Sequence, residues 1–365
     1  MDKKKFVVAC GGTGGHSFPG LAVAAELAAR GHEVTVWTSG RAIEGSVMKG
    51  WSGPVFATGA KPLAPRFAPA NLRALWRSWR EMRRDPPDAV LAMGSYASLP
   101  PVAAAVLRRV PVVLHEANTV PGRAVDFLAH FATAVAISFA ETAERLRGLK
   151  CELTGLPVRR EIVGCERFAE VPPDAFCVFV TGGSQGAHRV NELAVEALSY
   201  VQAGFRKLGR KLYVIHQTGA ADEGWVMGRY AASALPSRVN AFEREMGRAF
   251  ATADLVIARA GASTCFELAL TGKPAFLIPL PTALRDHQHR NASSFVAAGA
   301  AAEGLQSELT ARALANWIMK RAEDPALLET MSAKMKALSQ PDAAAKVANL
   351  MERVVDPAGL EPATK

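Results

Sequence analysis

The residues with the clearest chemical capacity lie in two glycine-rich turns. The sequence GGTGGH occupies positions 11–16 after the apolar segment 6–10, and GGSQG occupies positions 182–186 after the apolar segment 176–181. A glycine turn between a buried strand and a helix presents free backbone N–H groups and the helix dipole to an anion. A single turn of this kind is also explained by the steric need for glycine. Two turns at matching places favour phosphate binding.

Neither turn is a common nucleotide motif. Counted from Gly12, the sixth position of G-x-G-x-x-G is Ser17, and no Gly-Lys-Ser/Thr follows either turn, which counts against a dehydrogenase and against a P-loop kinase or ATPase. His16 ends the first turn. Its imidazole could act as a general base near neutral pH, or could simply bind backbone groups of the turn, and the residue alone leaves both interpretations open.

A third junction between a strand and a helix reads RAGASTCFE at positions 259–267. Glu267 is placed to bind ribose hydroxyls and Arg259 to neutralise a phosphate, whereas helix capping explains the serine, threonine and glutamate equally well. The polar segment RDHQHRN at 285–291 is either a solvated loop or a loop that contacts carbohydrate. Its two histidines lie two positions apart and therefore on different faces of a helix, so they do not indicate a metal pair.

Residues 71–85 (NLRALWRSWREMRRD) form an amphipathic helical pattern. Such a stripe usually packs on a core. Two tryptophans and five arginines favour, to about the same degree as core packing, a helix that lies on an anionic membrane surface. No nucleic-acid motif accompanies the arginines. The net charge of +9 also predicts an anionic partner. The apolar stripe contains Leu72, Leu75, Trp76, Trp79 and Met82, and the basic residues are Arg73, Arg77, Arg80, Arg83 and Arg84.

The elements that position these residues alternate between unbroken apolar strands and helices, which is typical of parallel sheets covered on both faces. A chain of 365 residues suits two such domains. We predict doubly wound domains at 1–157 and 158–340, with the Gly- and Pro-rich stretch 155–173 between them and a helix at 341–356 that packs back on the first. Besides the two strands before the glycine turns, strands are predicted at 33–38, 88–93, 110–115, 133–137, 151–154, 211–217, 238–242, 254–258 and 274–279.

Several classes of site and location are disfavoured by what the sequence lacks. No run of about 18 apolar residues predicts a spanning helix, and the basic N-terminus is not followed by a signal-peptide core, so we expect a cytoplasmic protein. Five scattered cysteines without a C-x-x-C pair predict neither disulfides nor a zinc site. No Asp-x-Asp is present to hold a metal on a diphosphate. We therefore predict no metal and no cofactor.

Six segments in order carry a resemblance to a known family: GGTGGHSFPGLAVA (11–24), HEAN (115–118), GLPVR (155–159), GGSQGA (182–187), RAGAST (259–264) with Glu267, and DHQHRNA (286–292). On these residues the chain resembles the MurG family, glycosyltransferase family 28. Its members transfer N-acetylglucosamine (GlcNAc) from UDP-GlcNAc to undecaprenyl-pyrophosphoryl-MurNAc-pentapeptide. The resemblance runs from Gly11 to about Asn349. It implies a GT-B fold, a lipid acceptor in the first domain, a donor in the second, and a peripheral location on the cytoplasmic face of the plasma membrane.

The resemblance also implies roles for individual residues. His16 matches the favoured base for the MurNAc 4-hydroxyl, with Glu116 as a second candidate, in an inverting displacement. Ser184 and Gln185 match residues at the UDP phosphates, and Gln288 matches a residue at the GlcNAc. Other substrate-binding matches are Phe242, Glu243 and Met246 around uracil, Glu267 on the ribose, Ala262, Ser263 and Thr264 against the nucleotide, and Thr13, Gly14, Gly15, Asn118 and Arg159.

Two departures and three alternatives accompany this interpretation. Ser95 and Val125 replace residues usual in the family, both in the presumed acceptor half, and leave the binding of the acceptor pyrophosphate open. Alternatives are a related transferase acting on another lipid such as diacylglycerol, a UDP-GlcNAc 2-epimerase, or a non-catalytic module that binds a nucleotide sugar or nucleic acid. The epimerase would leave the Arg- and Trp-rich helix unexplained.

Overall fold

The computed structural model describes residues 2–12, 14–41, 44 and 48–356. The chain divides into two compact units. The first contains the chain up to Arg159 and from Gln340 onward, and the second contains Arg160–Ser339. Of the predicted site residues, Thr13 lies outside the described residues.

The described residues of the first unit form a seven-stranded parallel sheet in the order β3-β2-β1-β4-β5-β6-β7. The strands are β1 (Lys5–Ala9), β2 (Glu33–Thr38), β3 (Val55–Ala57), β4 (Ala89–Ala92), β5 (Val112–Glu116), β6 (Ala134–Ile137) and β7 (Cys151–Leu153). The connecting helices are α1 (Gly14–Ala29), α2 (Ala68–Arg84), α3 (Leu99–Leu107), α4 (Arg123–Leu128) and α5 (Thr142–Arg145).

The second unit contains a six-stranded parallel sheet in the order β10-β9-β8-β11-β12-β13 among its described residues. Its strands are β8 (Phe176–Thr181), β9 (Leu212–Gln217), β10 (Ser237–Asn240), β11 (Leu255–Ala258), β12 (Ala275–Leu277) and β13 (Ala301–Glu303). Its helices are α6 (His188–Lys207), α7 (Glu223–Ala232), α8 (Met246–Thr252), α9 (Ala262–Thr271), α10 (His287–Ala297), α11 (Ala311–Glu323) and α12 (Pro325–Ala337).

The last helix, α13 (Ala343–Val355), belongs to the first unit. Its apolar face, including Val347 and Met351, packs in one core cluster with residues of α1 and β1. The Arg30 guanidinium, just beyond α1, donates to Asn349 Oδ1 at 2.6 Å and to Glu352 Oε2 at 2.9 Å. Burial of the apolar stripe therefore holds the C-terminal helix, with polar contacts at its rim.

The central strands β1, β4 and β11 are almost entirely apolar because both faces of each sheet are covered. Along β1, Phe6 and Val8 join the core on one side of the sheet, whereas Val7 and Ala9 join the core on the other side. Successive side chains of a strand point to opposite faces, so a strand covered twice needs apolar residues at every position. The predicted fold class, two doubly wound parallel-sheet domains, is confirmed.

Every predicted strand is present within one to two residues, but two strands were not predicted. Strands β3 and β13 each have three residues and lie at sheet edges, and β3 is largely exposed. A run of three residues is too short to show the strand pattern, so the pattern that identified the longer strands could not identify these two. No helix in the described part of the chain has both the length and the apolar composition to cross a membrane.

Candidate active site

His16 lies in the first turn of α1, half-buried, and its ring contacts a backbone carbonyl. The Nδ1 atom is 2.7 Å from the carbonyl oxygen of Met93, just beyond β4. A carbonyl oxygen can only accept, so in this contact Nδ1 carries the proton and donates it. In the neutral ring Nε2 is then the unprotonated nitrogen. The tautomer, assigned from this partner, is the one that a general base needs at Nε2.

Glu116 ends β5 and is buried, with its carboxylate directed into the loop beyond that strand. Its Oε1 accepts from the backbone N–H of Asn118 at 2.8 Å and from Asn118 Nδ2 at 3.1 Å, and its Oε2 accepts from the Gly122 N–H at 3.0 Å. Burial raises the pKa of Glu116 to about 7, against the opposing effect of these hydrogen bonds. The carboxylate therefore organises the loop 117–122 and fixes the Asn118 side chain.

His115, next to Glu116 on β5, was predicted only as part of a motif. Its Nε2 contacts the carbonyl oxygen of Gly155 at 3.2 Å. Burial lowers the pKa of His115 to about 4, and the nearby charge of His16 adds to this effect. The buried ring is therefore neutral near pH 7 and adds no charge beside His16.

The first glycine turn is occupied by a carboxylate that no sequence motif marks. Glu44 accepts from the N–H of Gly12 at 2.6 Å, from the N–H of Gly40 at 2.8 Å and from the N–H of Arg41 at 3.0 Å. The Ser39 hydroxyl donates to the same carboxylate at 2.5 Å. Burial acts to raise the pKa of Glu44, but the hydrogen bonds from Ser39 and the three amides outweigh it and hold the pKa below its usual value. The acid lies 32 residues from the Gly12 amide that it binds, so spacing along the chain gives no signal.

The remaining predicted residues of the first unit surround the start of α1. Gly14 and Gly15 belong to its first helical turn rather than to the preceding turn, and Gly15 is exposed. The Arg159 guanidinium carbon lies 4.2 Å from the centre of the Phe18 ring, a cation–π contact. Ser95 and Val125, the two departures, are buried, and the Ser95 hydroxyl accepts from the Ala97 N–H at 3.1 Å.

The second glycine turn is open where the first is filled. Ser184 and Gln185 are exposed, and α6 begins at His188 without a side-chain cap. Among the described residues, no carboxylate accepts from the amides of the turn. A Cβ on Gly186 would lie 2.1 Å from the Thr218 carbonyl oxygen, so backbone packing against the loop after β9 requires glycine there.

The loop after β10 contains two residues predicted to contact uracil, and the side chain of one of them, Glu243, points inward. Phe242 is 50% exposed, whereas Glu243 is 2% exposed. The Glu243 carboxylate accepts from Arg238 Nε at 3.0 Å, from Asn240 Nδ2 at 2.8 Å and from the Glu245 N–H at 2.9 Å. Burial acts to raise the pKa of Glu243, and these contacts together hold it below its usual value. The Glu243 side chain is therefore engaged inward, within the fold of the loop.

The junction before α9 contains a prediction that the structure corrects. The Arg259 guanidinium donates to the carbonyl oxygens of Ile278 at 3.0 Å and Pro279 at 2.9 Å, and to Gln306 Oε1 at 2.6 Å. Arg259 is 8% exposed, so we assign it to the fold and not to phosphate binding. On α9, Ala262 is buried, and Ser263, Thr264 and Glu267 are half-buried.

Two further predictions concern α10 and metal binding. Gln288 Oε1 accepts from the Leu280 N–H at 3.0 Å, which leaves the Nε2 group of this half-buried side chain for other partners. Within the described part of the chain, no group of three or more His, Cys, Asp or Glu side chains could hold a metal ion.

The apolar stripe predicted on α2 does not form one surface, because part of it is buried and part is exposed. Leu75, Trp79 and Met82 pack on the core of the first unit, whereas Leu72 is 66% and Trp76 55% exposed. The line that packs most closely is Ala74, Ser78 and Met82, spaced by four residues. Small residues on this line let α2 approach its neighbours closely, which rotates Leu72 and Trp76 away from the core. The Arg80 guanidinium carbon lies 5.4 Å from the Trp76 ring centre.

Two doubly wound units, with an open glycine turn in one and a histidine of defined tautomer in the other, are the parts expected of a GT-B glycosyltransferase. Family models agree: residues 6–137 match the glycosyltransferase family 28 N-terminal domain, and residues 177–347 match its C-terminal domain. The chain belongs to glycosyltransferase family 28.

Two relatives are named UDP-N-acetylglucosamine--N-acetylmuramyl-(pentapeptide) pyrophosphoryl-undecaprenol N-acetylglucosamine transferase. The protein of Thermodesulfovibrio yellowstonii is 34% identical, over 96% of this chain and 99% of its own. The protein of an Anaeromyxobacter species is 36% identical, over 98% of this chain and 96% of its own. The crystal structure of Acinetobacter baumannii MurG is 31% identical, covers 96% of this chain and 100% of its own, and superposes with a TM-score of 0.77. A UDP-N-acetylglucosamine 2-epimerase structure, 14% identical with a TM-score of 0.74, covers 100% of both chains and shows the shared fold alone.

Proposed function

We propose that this protein transfers GlcNAc from UDP-GlcNAc to the C4 hydroxyl of MurNAc in undecaprenyl-pyrophosphoryl-MurNAc-pentapeptide, the step of peptidoglycan synthesis that turns lipid I into lipid II. The observation that carries the proposal is identity of 34–36% over nearly the whole chain to relatives named for this transfer. In this proposal the first unit receives the lipid acceptor and the second binds the donor.

The proposed chemistry is one displacement with inversion. His16 Nε2 takes the proton of the acceptor hydroxyl as its oxygen bonds to the anomeric carbon of GlcNAc. The bond from that carbon to the UDP oxygen breaks, and UDP leaves with the electron pair. Backbone amides at the 182–186 turn and the N-terminus of α6 stabilise the negative charge that develops on the diphosphate. The Met93 carbonyl keeps the His16 ring in the tautomer that this step needs.

The donor half is proposed from the exposure of the second unit's side chains. Ser184 and Gln185 are exposed at the turn and would bind the phosphates. The exposed Phe242 ring, the Glu243 main chain and Met246 would surround the uracil, and Glu267 would hold the ribose hydroxyls. Gln288 Nε2 would donate to the GlcNAc. Ala262, Ser263 and Thr264 would line the nucleotide at the start of α9.

On the acceptor side, the proposal assigns the proton transfer to His16 and a positioning role to Glu116. Both carboxylate oxygens of Glu116 accept from the loop 117–122. Removal of a proton from substrate by Glu116 would break contacts that shape this loop. Asn118, Arg159 and the N-terminal glycines of α1 would complete the binding surface of this unit.

A further part of the proposal is peripheral binding to the anionic, cytoplasmic face of the plasma membrane through α2. The exposed side of α2 carries Leu72 and Trp76 beside Arg73, Arg77 and Arg80, which are all exposed. Helix α3 packs against α2 and exposes Val106 and Leu107. Apolar side chains that enter a bilayer and arginines that pair with anionic headgroups are the combination that interfacial helices use. Leu75 and Trp79 hold the helix to the protein.

A transfer assay tests the function. UDP-GlcNAc is supplied with a lipid I analogue, with diacylglycerol, or alone, each with and without EDTA. Transfer to the lipid I analogue that persists in EDTA is the expected result. Transfer to diacylglycerol but not to the lipid I analogue would show that the proposed acceptor is wrong. Epimerised sugar nucleotide without any transfer would overturn the proposal.

Sedimentation with vesicles tests the membrane surface. We expect Leu72→Ser with Trp76→Ser to reduce binding to vesicles that contain anionic lipid by about tenfold, since each exposed apolar side chain buries area in the bilayer. The matched control is Leu208→Ser with Trp225→Ser, an exposed leucine and tryptophan of the second unit. Equal losses in the two double variants would contradict the assignment to α2.

A further inference from the structure

A buried glutamine at the end of β9 connects two loops to which the proposed function gives separate tasks. Gln217 is 3% exposed and is the last residue of a strand that lies between β8 and β10. The glycine turn 182–186 comes after β8, and the loop 241–246 comes after β10. Because the strands are parallel, both loops leave the sheet at the same edge as Gln217.

The Gln217 side chain binds both loops. Its Nε2 donates to the Gly183 carbonyl oxygen at 2.8 Å and to Thr181 Oγ1 at 3.1 Å. Its Oε1 accepts from the Glu243 N–H at 3.0 Å. The amide orientation is assigned from the partners, since a carbonyl can only accept and a backbone N–H can only donate.

Each contact lies at a residue that shapes its loop. Gly183 has a φ of +85°, and its N–H donates to the same Thr181 hydroxyl oxygen at 3.1 Å, so Thr181 and Gln217 together hold the peptide groups on both sides of this residue. At the other end, Glu243 has its carboxylate engaged inward, and the bond from its N–H to Gln217 adds the main chain to that anchorage. The turn and the loop are therefore spaced by one rigid, buried amide.

We propose that Gln217 is a positioning residue that sets the distance between the diphosphate-binding turn and the uracil-binding loop, and thereby helps the protein select uridine nucleotides. The inference rests on the proposed function, because it takes the donor to be bound by these two segments. Gln217 itself touches no ligand. A correctly spaced loop presents its main-chain donors and acceptors to the uracil edge, whereas cytosine reverses the polarity of part of that edge.

Calorimetric titration of the full chain with UDP and with CDP tests the proposal. Gln217→Met keeps the side-chain length and removes all three hydrogen bonds. We expect the Kd for UDP to rise about tenfold and the ratio of the CDP to the UDP Kd to fall at least about threefold, the size of effect that loss of a buried hydrogen bond produces. In the transfer assay, KM for UDP-GlcNAc should rise more than kcat falls.

The matched control is Gln202→Met. Gln202 is a buried glutamine of the same unit whose Nε2 donates to the carbonyl oxygens of Ser233 and Ala234 at 3.1 Å and 3.2 Å, away from both loops. This variant should lose comparable stability and keep UDP affinity and selectivity within about twofold of the wild type.

Gln217→Glu tests the Glu243 contact separately from the Gly183 contact. It also replaces Gln217→Met as the test if the methionine variant does not fold. One oxygen still accepts from Glu243 N–H, while the other faces the Gly183 carbonyl without a hydrogen to donate. UDP affinity should fall with most of the UDP preference kept. Wild-type affinity in either Gln217 variant, or equal loss for UDP and CDP in Gln217→Met, overturns the positioning role. Failure of the wild type to bind UDP would instead refute the proposed donor site.

Discussion

The two glycine turns have similar sequences and opposite environments. In the first unit, three backbone amides at and near the turn bind the Glu44 carboxylate, which is 3% exposed. In the second unit, Ser184 and Gln185 are exposed, and no described carboxylate binds the amides of the turn. Both turns present amides that suit an anion, but the Gly12 amide of the first turn already binds an internal carboxylate, which no described residue supplies to the second turn. We expect the bound carboxylate to make the first turn a support for His16 at the start of α1.

A histidine follows the glycines of each turn, and the two histidines differ in their hydrogen-bond partners. His16 donates from Nδ1 to a carbonyl oxygen, which leaves Nε2 as the basic nitrogen of the neutral ring. His188 has Nδ1 at 2.9 Å from Asp222 Oδ1 and Nε2 at 3.4 Å from Glu192 Oε1. The hydrogen bond to Asp222 raises the pKa of His188 above its ordinary value. The two rings are therefore held by different partners, a backbone carbonyl oxygen for His16 and two carboxylates for His188.

The largest expected effect comes from removal of the base. His16→Ala should lower kcat for transfer by about a hundredfold to ten-thousandfold and leave the Kd for UDP unchanged, because general-base catalysis contributes on this scale. His130→Ala is the control: its Nδ1 also contacts a carbonyl oxygen, that of Asp126 at 2.9 Å, on an exposed surface. A kcat for His16→Ala close to that of the control would remove His16 from the mechanism.

Removal of the buried Glu44 carboxylate tests whether the first glycine turn depends on it for stability. Glu44→Ala leaves three amides and the Ser39 hydroxyl without their acceptor, so the free energy of unfolding should fall by about 2–4 kcal/mol in a urea titration. UDP affinity should not change. Glu33→Ala, which removes an exposed carboxylate paired with Lys3 in the same unit, should leave the stability nearly unchanged, because an exposed ion pair contributes little. Equal stability of the two variants would break the contrast between the turns.

The corresponding change in the second turn should show the reverse pattern. Ser184→Ala removes an exposed hydroxyl, so the melting temperature of the free protein should stay unchanged. The Kd for UDP should rise about three- to tenfold, the usual net scale for the loss of one hydrogen bond. Ser199→Ala, an exposed serine farther along α6, should alter neither quantity. Loss of stability without loss of UDP affinity in Ser184→Ala would show that this turn is structural too.

The smallest expected effect concerns pH. The folded-state pKa of Glu116 is raised to about 7 from 4.5, so its folded form holds a proton that the unfolded chain releases. Its contribution to stability is fully present below about pH 4.5 and is lost as the pH rises through about 7. Glu116→Gln removes this loss, so the melting temperature of the variant relative to wild type should increase across that range. A difference that is flat with pH would show that Glu116 does not titrate there.

Much of the fold was predictable because it depends on local pattern. The strands before both glycine turns were recognised from apolar residues at every position, which only a doubly covered strand needs. The donor-side residues were predicted from the resemblance carried by the order of the motifs, and their roles stay predictions. Glu44 was missed because its partners at Gly12 and Gly40 are brought to it by tertiary folding, and no spacing marks it. The apolar stripe on α2 was predicted too wide because helical periodicity alone does not show which row of side chains packs closest to the core.

The sequence alone therefore determined the two parallel sheets, the places where glycine turns meet helices, and the family. Those features depend on residues adjacent in the chain, or on alternation along one element. The tertiary structure decided which anion-binding turn is already filled, which nitrogen of His16 is basic, that Arg259 and Glu243 direct their side chains inward, and that Leu72 and Trp76 face solvent. Each of these depends on a partner distant in sequence, such as Met93 for His16 or Ile278 for Arg259, and only folding brings that partner within hydrogen-bonding distance.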